Sequence, residues 1–328
     1  MEDEVTLTIL MATYNGAAYI KKQLDSIINQ TYSNWELMIR DDGSTDGTLE
    51  IIEDFSNRYA RITLINYGSI HGSACRNFSQ LFDWAYGQEK GYILFADQDD
   101  VWLENKLRRT YVAMLEKERL FGAHTPLLLY SNLLFIDAND QPIKANLPLP
   151  ATLTLPVLLN ENYAWGCTMM LNRAALQKVQ HIPVSSVNHD YYIALVIAAF
   201  GKNILLDDHL ILYRQHQKNV SGNVGKMTFA SRFHRYFKQR DAMLIPLLDN
   251  YSLVDSFFNR YKNELSHQHR HMIGDFLESY QRGFLVLVRK MVQHKIFKIG
   301  LGKNLMYFYT LYLLRSRVVE SFKQGRQG

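Results

Sequence analysis

Residues 91–102, GYILFADQDDVW, run an apolar segment straight into Asp97, Gln98, Asp99 and Asp100. Each carboxylate raises the cost of ionising its neighbours, so a strand that ends in such a cluster needs positive charge nearby. On an extended segment alternate residues point the same way, which puts Asp97 and Asp99 on one face. Hard oxygen ligands at a strand end suit Mg2+ or Mn2+. Such an ion takes one or two carboxylates and fills its shell with water and substrate phosphates. A divalent cation bridging to a diphosphate is therefore the expected offset. The apolar run and Trp102 favour a partly buried site. The competing reading is a solvated acidic turn.

Working outward, the first hundred residues alternate between two periodicities. The runs at 5–12 (VTLTILMA), 35–40 (WELMIR), 61–66 (RITLIN) and 91–96 (GYILFA) read as strands. The segments 17–30, 45–58 and 73–87 between them have helical spacing. This strand–helix rhythm implies right-handed crossovers and a mostly parallel sheet. In such a sheet ligands bind beyond the carboxyl ends of the strands, and the polar signals fall there. The first strand ends in ATYNG (12–16) and the second in DDGSTDGT (41–48). The first loop lacks GxGxxG, so a Rossmann pyrophosphate cradle is excluded. Thr13, Tyr14 and Asn15 offer hydroxyls, an amide and a flat ring that suit a nucleobase or ribose. Asp41 can accept a hydrogen bond from the N–H of a uracil or thymine ring. Taken singly, the two loops also read as an ordinary turn and a capped turn, with Ser44 or Asp46 as N-cap of the second helix.

After residue 125 the pattern changes. Residues 127–136, 164–171 and 203–213 read as strands, and 189–201 as a buried helix ended by Gly201. From 226 onward the segments 228–247, 251–280, 282–299 and 303–322 have helical spacing. The 328 residues carry a net charge of +4, unevenly spread. From Lys226 onward there are 18 Lys and Arg against 7 Asp and Glu, or +11, so the preceding part is −7. The asymmetry suggests two regions with different partners, divided as 1–225 and 226–328. Two distant cysteines, Cys75 and Cys167, argue against a disulfide scaffold or a zinc motif and fit a reducing cytosol. The acidic start is unlike a signal peptide, and no apolar run approaches the roughly 18 residues of a membrane span. No nucleic-acid recognition motif accompanies the basic tail, so no nucleic-acid partner is expected.

The segments TILMATYNG, RDDGSTDGT and FADQDDVW, in that order and spacing, resemble the family 2 glycosyltransferases of GT-A fold. SNLLFIDANDQPI, GCTMMLNRAAL, NHDYYIAL and LYRQHQKNVSG extend the likeness over residues 4–225, toward the bacterial rhamnosyltransferase-like branch. The resemblance implies an α/β fold with a GT-A type, mostly parallel sheet flanked by helices. The helical extension lies beyond it. It further implies that Thr13, Asn15 and Asp41 contact the base and ribose of a nucleotide-sugar. Asp97 and Asp99 would form the DxD pair, with Asp97 toward the donor and Asp99 on the metal. Asp190 would be the catalytic base. Arg214 and His216 stand where many relatives carry QxxRW for the donor phosphates. This chain has YRQH there, so His216 would complete the metal shell or bind phosphate.

The implied reaction is an inverting, Mg2+- or Mn2+-dependent transfer from a dTDP- or UDP-sugar, dTDP-rhamnose by resemblance. The acceptor would be a glycan or lipid-linked saccharide in bacterial surface polysaccharide synthesis. The acceptor hydroxyl needs a base, and the leaving diphosphate needs its developing charge stabilised. Read without the resemblance, Asp190 is a helix N-terminal carboxylate facing the macrodipole, and His189 a packing or orienting residue. Trp165, Gly166 and Cys167 read either as core or as the acceptor side. Cys167 lacks the His and Asp company of a nucleophile. The basic tail, with GFLVLVRKMVQHKIFKIG and NLMYFYTLYLLRSR, suits a solvated face, a homodimer contact or a peripheral membrane surface on the cytoplasmic side. Two other classes compete. One is a catalytically silent binding or scaffold protein of the same fold. The other is a sugar-phosphate nucleotidyltransferase, whose Gly-rich N-terminal loop is missing here.

Overall fold

The computed structural model describes residues 5–65, 72–144, 149–150, 152–183, 186, 188–216 and 240–325. The expected helix start at 228–239 and the motif tail KNVSG at 218–222 lie outside the described residues. The chain forms two units. One comprises Met1–Thr152, Ala164–Val184 and Asn188–Gly225, the other Leu153–Tyr163, Ser185–Val187 and Lys226–Gly328.

The first unit is built on one sheet. Strand β1 (Leu7–Thr13) pairs in parallel with β2 (Trp35–Asp41) on one side and β4 (Tyr92–Asp97) on the other, and β2 pairs with β3 (Ile62–Leu64). A strand flanked on both edges and covered on both faces reads as a continuous apolar run, and Leu7–Met11 are all buried. Helices α1 (Ile20–Ile28), α2 (Thr48–Arg58) and α3 (Ala74–Gly87) are the crossovers. Each presents an apolar stripe to the sheet, such as Ile20, Leu24 and Ile27 of α1. Beyond β4 the sheet becomes mixed. β8 (Met169–Leu171) is antiparallel to β4 and to β6 (Leu127–Asp137), β6 is parallel to β9 (Lys202–Gln215), and β9 is antiparallel to the short β5 (Val101–Trp102). A further short strand, β7 (Pro142–Ile143), pairs with β6. The order is β3-β2-β1-β4-β8-β6-β9-β5. Helix α4 (Lys106–Phe121) follows β5. After β8 come α6 (Arg173–Val179), capped by the Asn172 side chain, and α7 (His189–Phe200).

Three local expectations are corrected. Residues 164–171 are not one strand, because Gly166–Thr168 close a 3-10 turn in which Thr168 N–H and Oγ1–H both reach the Trp165 carbonyl. The N-cap of α2 is Gly47, at φ 89°, and neither Ser44 nor Asp46. Gly201 does end α7, but at φ −153° it is not a left-handed cap. Its need is space, since a Cβ there would lie 1.9 Å from the Pro126 carbonyl oxygen. Pro126 O accepts Lys202 N–H at 3.0 Å and so cannot simply retreat. Gly201→Ala is expected to cost about 1–3 kcal/mol, the usual range for forced overpacking. A denaturant midpoint equal to that of the wild type would refute this reading.

The second unit is helical. Helix α8 (Arg240–Tyr261) runs unbroken through Pro246, where separate helices ending at 247 and starting at 251 were expected. Proline forfeits one helix hydrogen bond, but Leu247, Tyr251, Val254, Phe257 and Tyr261 form a buried stripe that outweighs the loss. The break falls instead at 262–266, before Ser266 caps α9 (His267–Arg282) by accepting His269 N–H. Gly283 at φ 127° and Gly300 at φ 102° then turn the chain into α10 (Phe284–Gln293) and toward α11 (Leu301–Gly325). The segment 153–163, including the short helix α5 (Leu155–Leu158), belongs to this unit. Tyr163 Oη accepts Ile299 N–H at 3.1 Å, and Lys303 reaches Glu161 at 3.4 Å.

Candidate active site at the carboxyl ends of the sheet

Strand register places the site. Thr13 pairs with Asp41, and Ala12 with Asp97, so the carboxyl ends of β1, β2 and β4 finish level and their loops meet. Asp41 is the hub of the first two. Its Oδ1 accepts the N–H groups of Gly43 (3.0 Å) and Ser44 (2.7 Å), and its Oδ2 accepts the hydroxyls of Thr13 (2.7 Å) and Ser44 (2.6 Å). A carboxylate has about four lone-pair sites, so a base N–H reaching Asp41 would have to displace one of these donors. Asn15, at φ 48°, gives its N–H to Ser44 Oγ (2.8 Å) and accepts Thr45 N–H on Oδ1 (2.9 Å). Thr13 is buried, whereas the Tyr14 ring is 54% exposed and free to receive a flat ligand.

Gln98 locks this pair of loops to the acidic one, a role that sequence reasoning missed. Its amide accepts Tyr14 N–H and donates to Tyr14 O, both at 2.9 Å. Gly16 leaves room for it, since a Cβ there would lie 2.4 Å from Gln98 Oε1. The only available signal was that Gln98 interrupts a run of carboxylates.

β4 stops at Asp97 and residues 98–99 turn, so strand alternation does not continue to Asp99. The ligand atoms that converge, within 4.8 Å of one another, are those of Asp97, Asp100 and Cys167. Asp99 instead sets Oδ2 2.7 Å from His216 Nε2. Asp100 is fully buried. Its Oδ1 accepts Arg214 N–H at 3.1 Å, and its Oδ2 has no hydrogen-bond partner among the described residues. Burial, with the Asp99 and Asp190 charges, pushes the Asp97 carboxyl up to about 7. Burial with Asp99 and Asp97 pushes Asp100 well above the carboxylate range.

The positive offset is partly internal. Arg214 has no exposed surface. Its guanidinium donates to the carbonyls of Asp99 (2.7 Å) and Asp137 (3.2 Å) and to Asp140 Oδ1 (2.5 Å), and lies 4.8 Å from the Tyr19 ring centre. From there it braces the acidic turn, and the expected phosphate contact would require it to leave this nest. Tyr19 also stacks on His216, with ring centres 4.9 Å apart. Lys106, which sequence reasoning missed, is fully buried over Trp102 and donates to Cys167 O at 3.1 Å. Burial lowers its ammonium to about 8, against the upward pull of Cys167 and Asp100. Its helical spacing and long side chain carried no signal of burial. These cations leave the Asp97 and Asp100 carboxyls crowded, with the Cys167 thiol beside both and no nitrogen or oxygen donor on Asp100 Oδ2 among the described residues. That donor set fits a hard dication. Cys167 does not oppose this, because burial and the two aspartates keep its sulfur a thiol, a poor ligand and a poor nucleophile.

Asp190 lies in the first turn of α7, near enough to Asp97 for its charge to act there. Its Oδ2 accepts Gly166 N–H (3.1 Å) and its Oδ1 the N–H of Tyr191 (2.6 Å). Burial raises its carboxyl to about 6 against these two bonds. His189 stacks on Phe78 at 4.1 Å and is held neutral, its imidazole pushed down to about 3 by burial. Gly166 is the residue that fits between them, since a Cβ would lie 2.6 Å from His189 Nε2. The fold thus gathers Asp97, Asp99, Asp100, Asp190 and His216 at one end of the sheet, beside the Thr13–Asn15–Asp41 network.

Three comparisons bear on this arrangement. The model of the family "Glycosyl transferase family 2" matches residues 8–179. The UDP-Glc:alpha-D-GlcNAc-diphosphoundecaprenol beta-1,3-glucosyltransferase WfgD of Escherichia coli is 31% identical over 67% of this chain and 81% of its own. The dTDP-rhamnosyl transferase RfbG of Shigella flexneri is 27% identical over 69% of this chain and 77% of its own. Among solved structures, the 1–349 fragment of S. aureus TarS in complex with UDP-GlcNAc superposes with a TM-score of 0.56 at 16% identity, over 98% of this chain and 92% of that one. That likeness is one of fold, the GT-A type expected from the sequence.

Proposed function

Because the chain belongs to glycosyl transferase family 2, and is thus a glycosyltransferase, we propose that it moves a sugar from a nucleoside diphosphate sugar to a hydroxyl of a lipid-linked saccharide, with inversion. One observation carries the mechanism: a half-buried carboxylate, Asp190, is held by two N–H groups beside the acidic turn at the end of β4. With its proton affinity raised to about 6, Asp190 is ionised at neutral pH and basic enough to take the acceptor's proton as the new bond forms. The N–H groups of Gly166 and Tyr191 hold it in place. Thr13, Asn15 and Asp41 shape the nucleoside end, and the exposed Tyr14 ring offers a stacking face. Asp97, Asp99 and Asp100, with His216, would hold Mg2+ or Mn2+. Bound there, the ion would neutralise charge developing on the leaving diphosphate.

The donor we favour is dTDP-L-rhamnose, on the sequence motifs and the likeness to RfbG. UDP-glucose is the rival, on the likeness to WfgD. A thermal-shift panel of nucleotide-sugars with and without Mn2+ separates them, because a ligand that binds only the folded state raises the midpoint by mass action. The expected result is the largest shift with dTDP-rhamnose plus metal. A larger shift with UDP-glucose would replace the donor, and no shift with any nucleotide-sugar would sink the proposal.

A lipid-linked acceptor would place the enzyme at the cytoplasmic face of the membrane. In the helical unit, Leu301, Leu305, Tyr309 and Tyr312 form an exposed stripe along α11, and Leu285 and Val292 are exposed on α10. Arg289, Lys295 and Lys303 accompany them. No helix among the described residues is long and apolar enough to cross a membrane. An apolar stripe among basic side chains suits peripheral contact with an anionic leaflet, at roughly 1 kcal/mol per basic residue near the surface. The full chain is expected to sediment with anionic vesicles at low salt and to be released partly at high salt. Replacing Leu301 and Leu305 together by Ser should abolish sedimentation. A protein that ignores vesicles at every salt and scatters light as a stable homodimer would make the stripe an assembly face.

A further inference from the structure

The helical unit contains a second cluster of ligand-bearing side chains, remote in sequence from every motif used above. On α9, His271 and Asp275 stand one turn apart, and His294 follows the last residue of α10. All three converge on one oxygen. Asp275 Oδ2 lies 2.7 Å from His294 Nε2 and 3.4 Å from His271 Nδ1. The three ligand atoms lie within 4.8 Å of one another. Asp275 and His294 are largely buried, each 14% exposed, while His271 is 55% exposed and opens the cluster to solvent. His267 stacks on His271 one turn earlier, with ring centres 6.3 Å apart. Lys290 Nζ also sits on Asp275 Oδ2, at 2.8 Å.

We propose that His271, Asp275 and His294 form a transition-metal site, best suited to Zn2+, which ties α9 to the end of α10. Two imidazoles and one carboxylate are a borderline donor set that favours Zn2+ over Mg2+ or Ca2+, which prefer oxygen throughout. With metal–ligand bonds of about 2.0–2.1 Å, tetrahedral ligand atoms stand about 3.4 Å apart. The His271–Asp275 separation already has that value, and the His294–Asp275 hydrogen bond opens by a few tenths of an ångström as the metal replaces the shared proton. Lys290 marks the spot as one that attracts positive charge. Its ammonium yields to the metal and keeps a neighbouring acceptor, Gln293 Oε1, at 3.3 Å. Water fills the fourth position on the side that His271 leaves open.

The test uses the full chain, stripped with chelator and kept in millimolar Mg2+ to occupy hard oxygen sites. Zn2+ is titrated by calorimetry, and Co2+ is followed by the visible absorption of a four-coordinate centre. Wild type is expected to bind Zn2+ with an affinity that falls at least about tenfold in His271→Ala and again in His294→Ala, by analogy with the loss of supporting groups in metal sites. Lys290→Met should tighten binding, because it removes the competing cation. Asp99→Asn should leave this affinity unchanged, which separates the site from the acidic turn. His271 is exposed enough that its truncation spares the packing, so a null result there is informative. The proposal is overturned if wild type takes up no Zn2+ in Mg2+, or if both histidine variants retain wild-type affinity.

Discussion

Asp190→Asn is expected to lower turnover by about 10²–10⁴-fold, the range for a lost general base, while leaving donor affinity nearly unchanged. Asparagine fills almost the same volume but cannot take a proton. One of its two terminal atoms would also face an N–H with an NH2, because Gly166 and Tyr191 each donate to a different oxygen of Asp190. That mismatch loosens the side chain locally, but α7 remains packed through Ile193–Ile197. The wild-type pH profile supplies a second readout. With the carboxyl raised to about 6 by burial, the ionised and competent form is lost as pH falls through that value. Hence kcat/KM should decline below about pH 6 and level off above it. Steady-state rates across this range, with donor binding measured by calorimetry, decide the matter. A variant that transfers sugar at a near wild-type rate, or a flat wild-type profile, would remove Asp190 from the mechanism.

The second large effect is expected at Asp99. Asp99→Asn should reduce turnover at least about 10²-fold, the scale of losing one group that stabilises transition-state charge. It should also abolish the metal dependence of nucleoside diphosphate binding. The fold should survive, because Arg214 bonds the Asp99 carbonyl rather than its carboxylate, and removing one charge relieves Asp97 and Asp100. Calorimetry with Mn2+ and with chelator tests this. Equal wild-type binding in both, together with an active variant, would end the metal role.

The same crowding predicts a stability trend. Asp97 and Asp190, raised to about 7 and about 6, hold protons in the folded protein that the unfolded chain releases near the ordinary carboxylate value of 3.8. Their contribution to stability is therefore complete below about pH 4 and lost as pH rises through 6 to 7. Added Mn2+ should offset that loss, most at the alkaline end.

Much of this was legible in the chain. Apolar runs of five to seven residues alternating with amphipathic segments specify a parallel sheet, and the polar residues just past each run mark its carboxyl ends. Thr13, Asp41 and Asp97 could thus be picked out together, because parallel pairing of neighbouring strands brings their ends level. Helix limits were less legible. The α8 helix passes through Pro246 because a long buried stripe outweighs one lost hydrogen bond, and a local window does not weigh the two.

Other features were decided only by tertiary structure. Gln98 clamps Tyr14, Lys106 is buried beneath Cys167 O, and Arg214 is enclosed by Asp99, Asp137 and Asp140. Each contact joins residues some 60 to 115 positions apart. Asp100 rather than Asp99 converges with Asp97 because β4 ends one residue before the turn, and the antiparallel pairing of β5 with β9 then swings the loop against Arg214. Hydrophobic periodicity is a local property, and the sequence by itself determined the long strands, the three crossover helices and which loops meet at the carboxyl ends of β1, β2 and β4. Which charge meets which depends on strand pairing across the sheet and on where each strand stops, and those are settled only when the whole core packs.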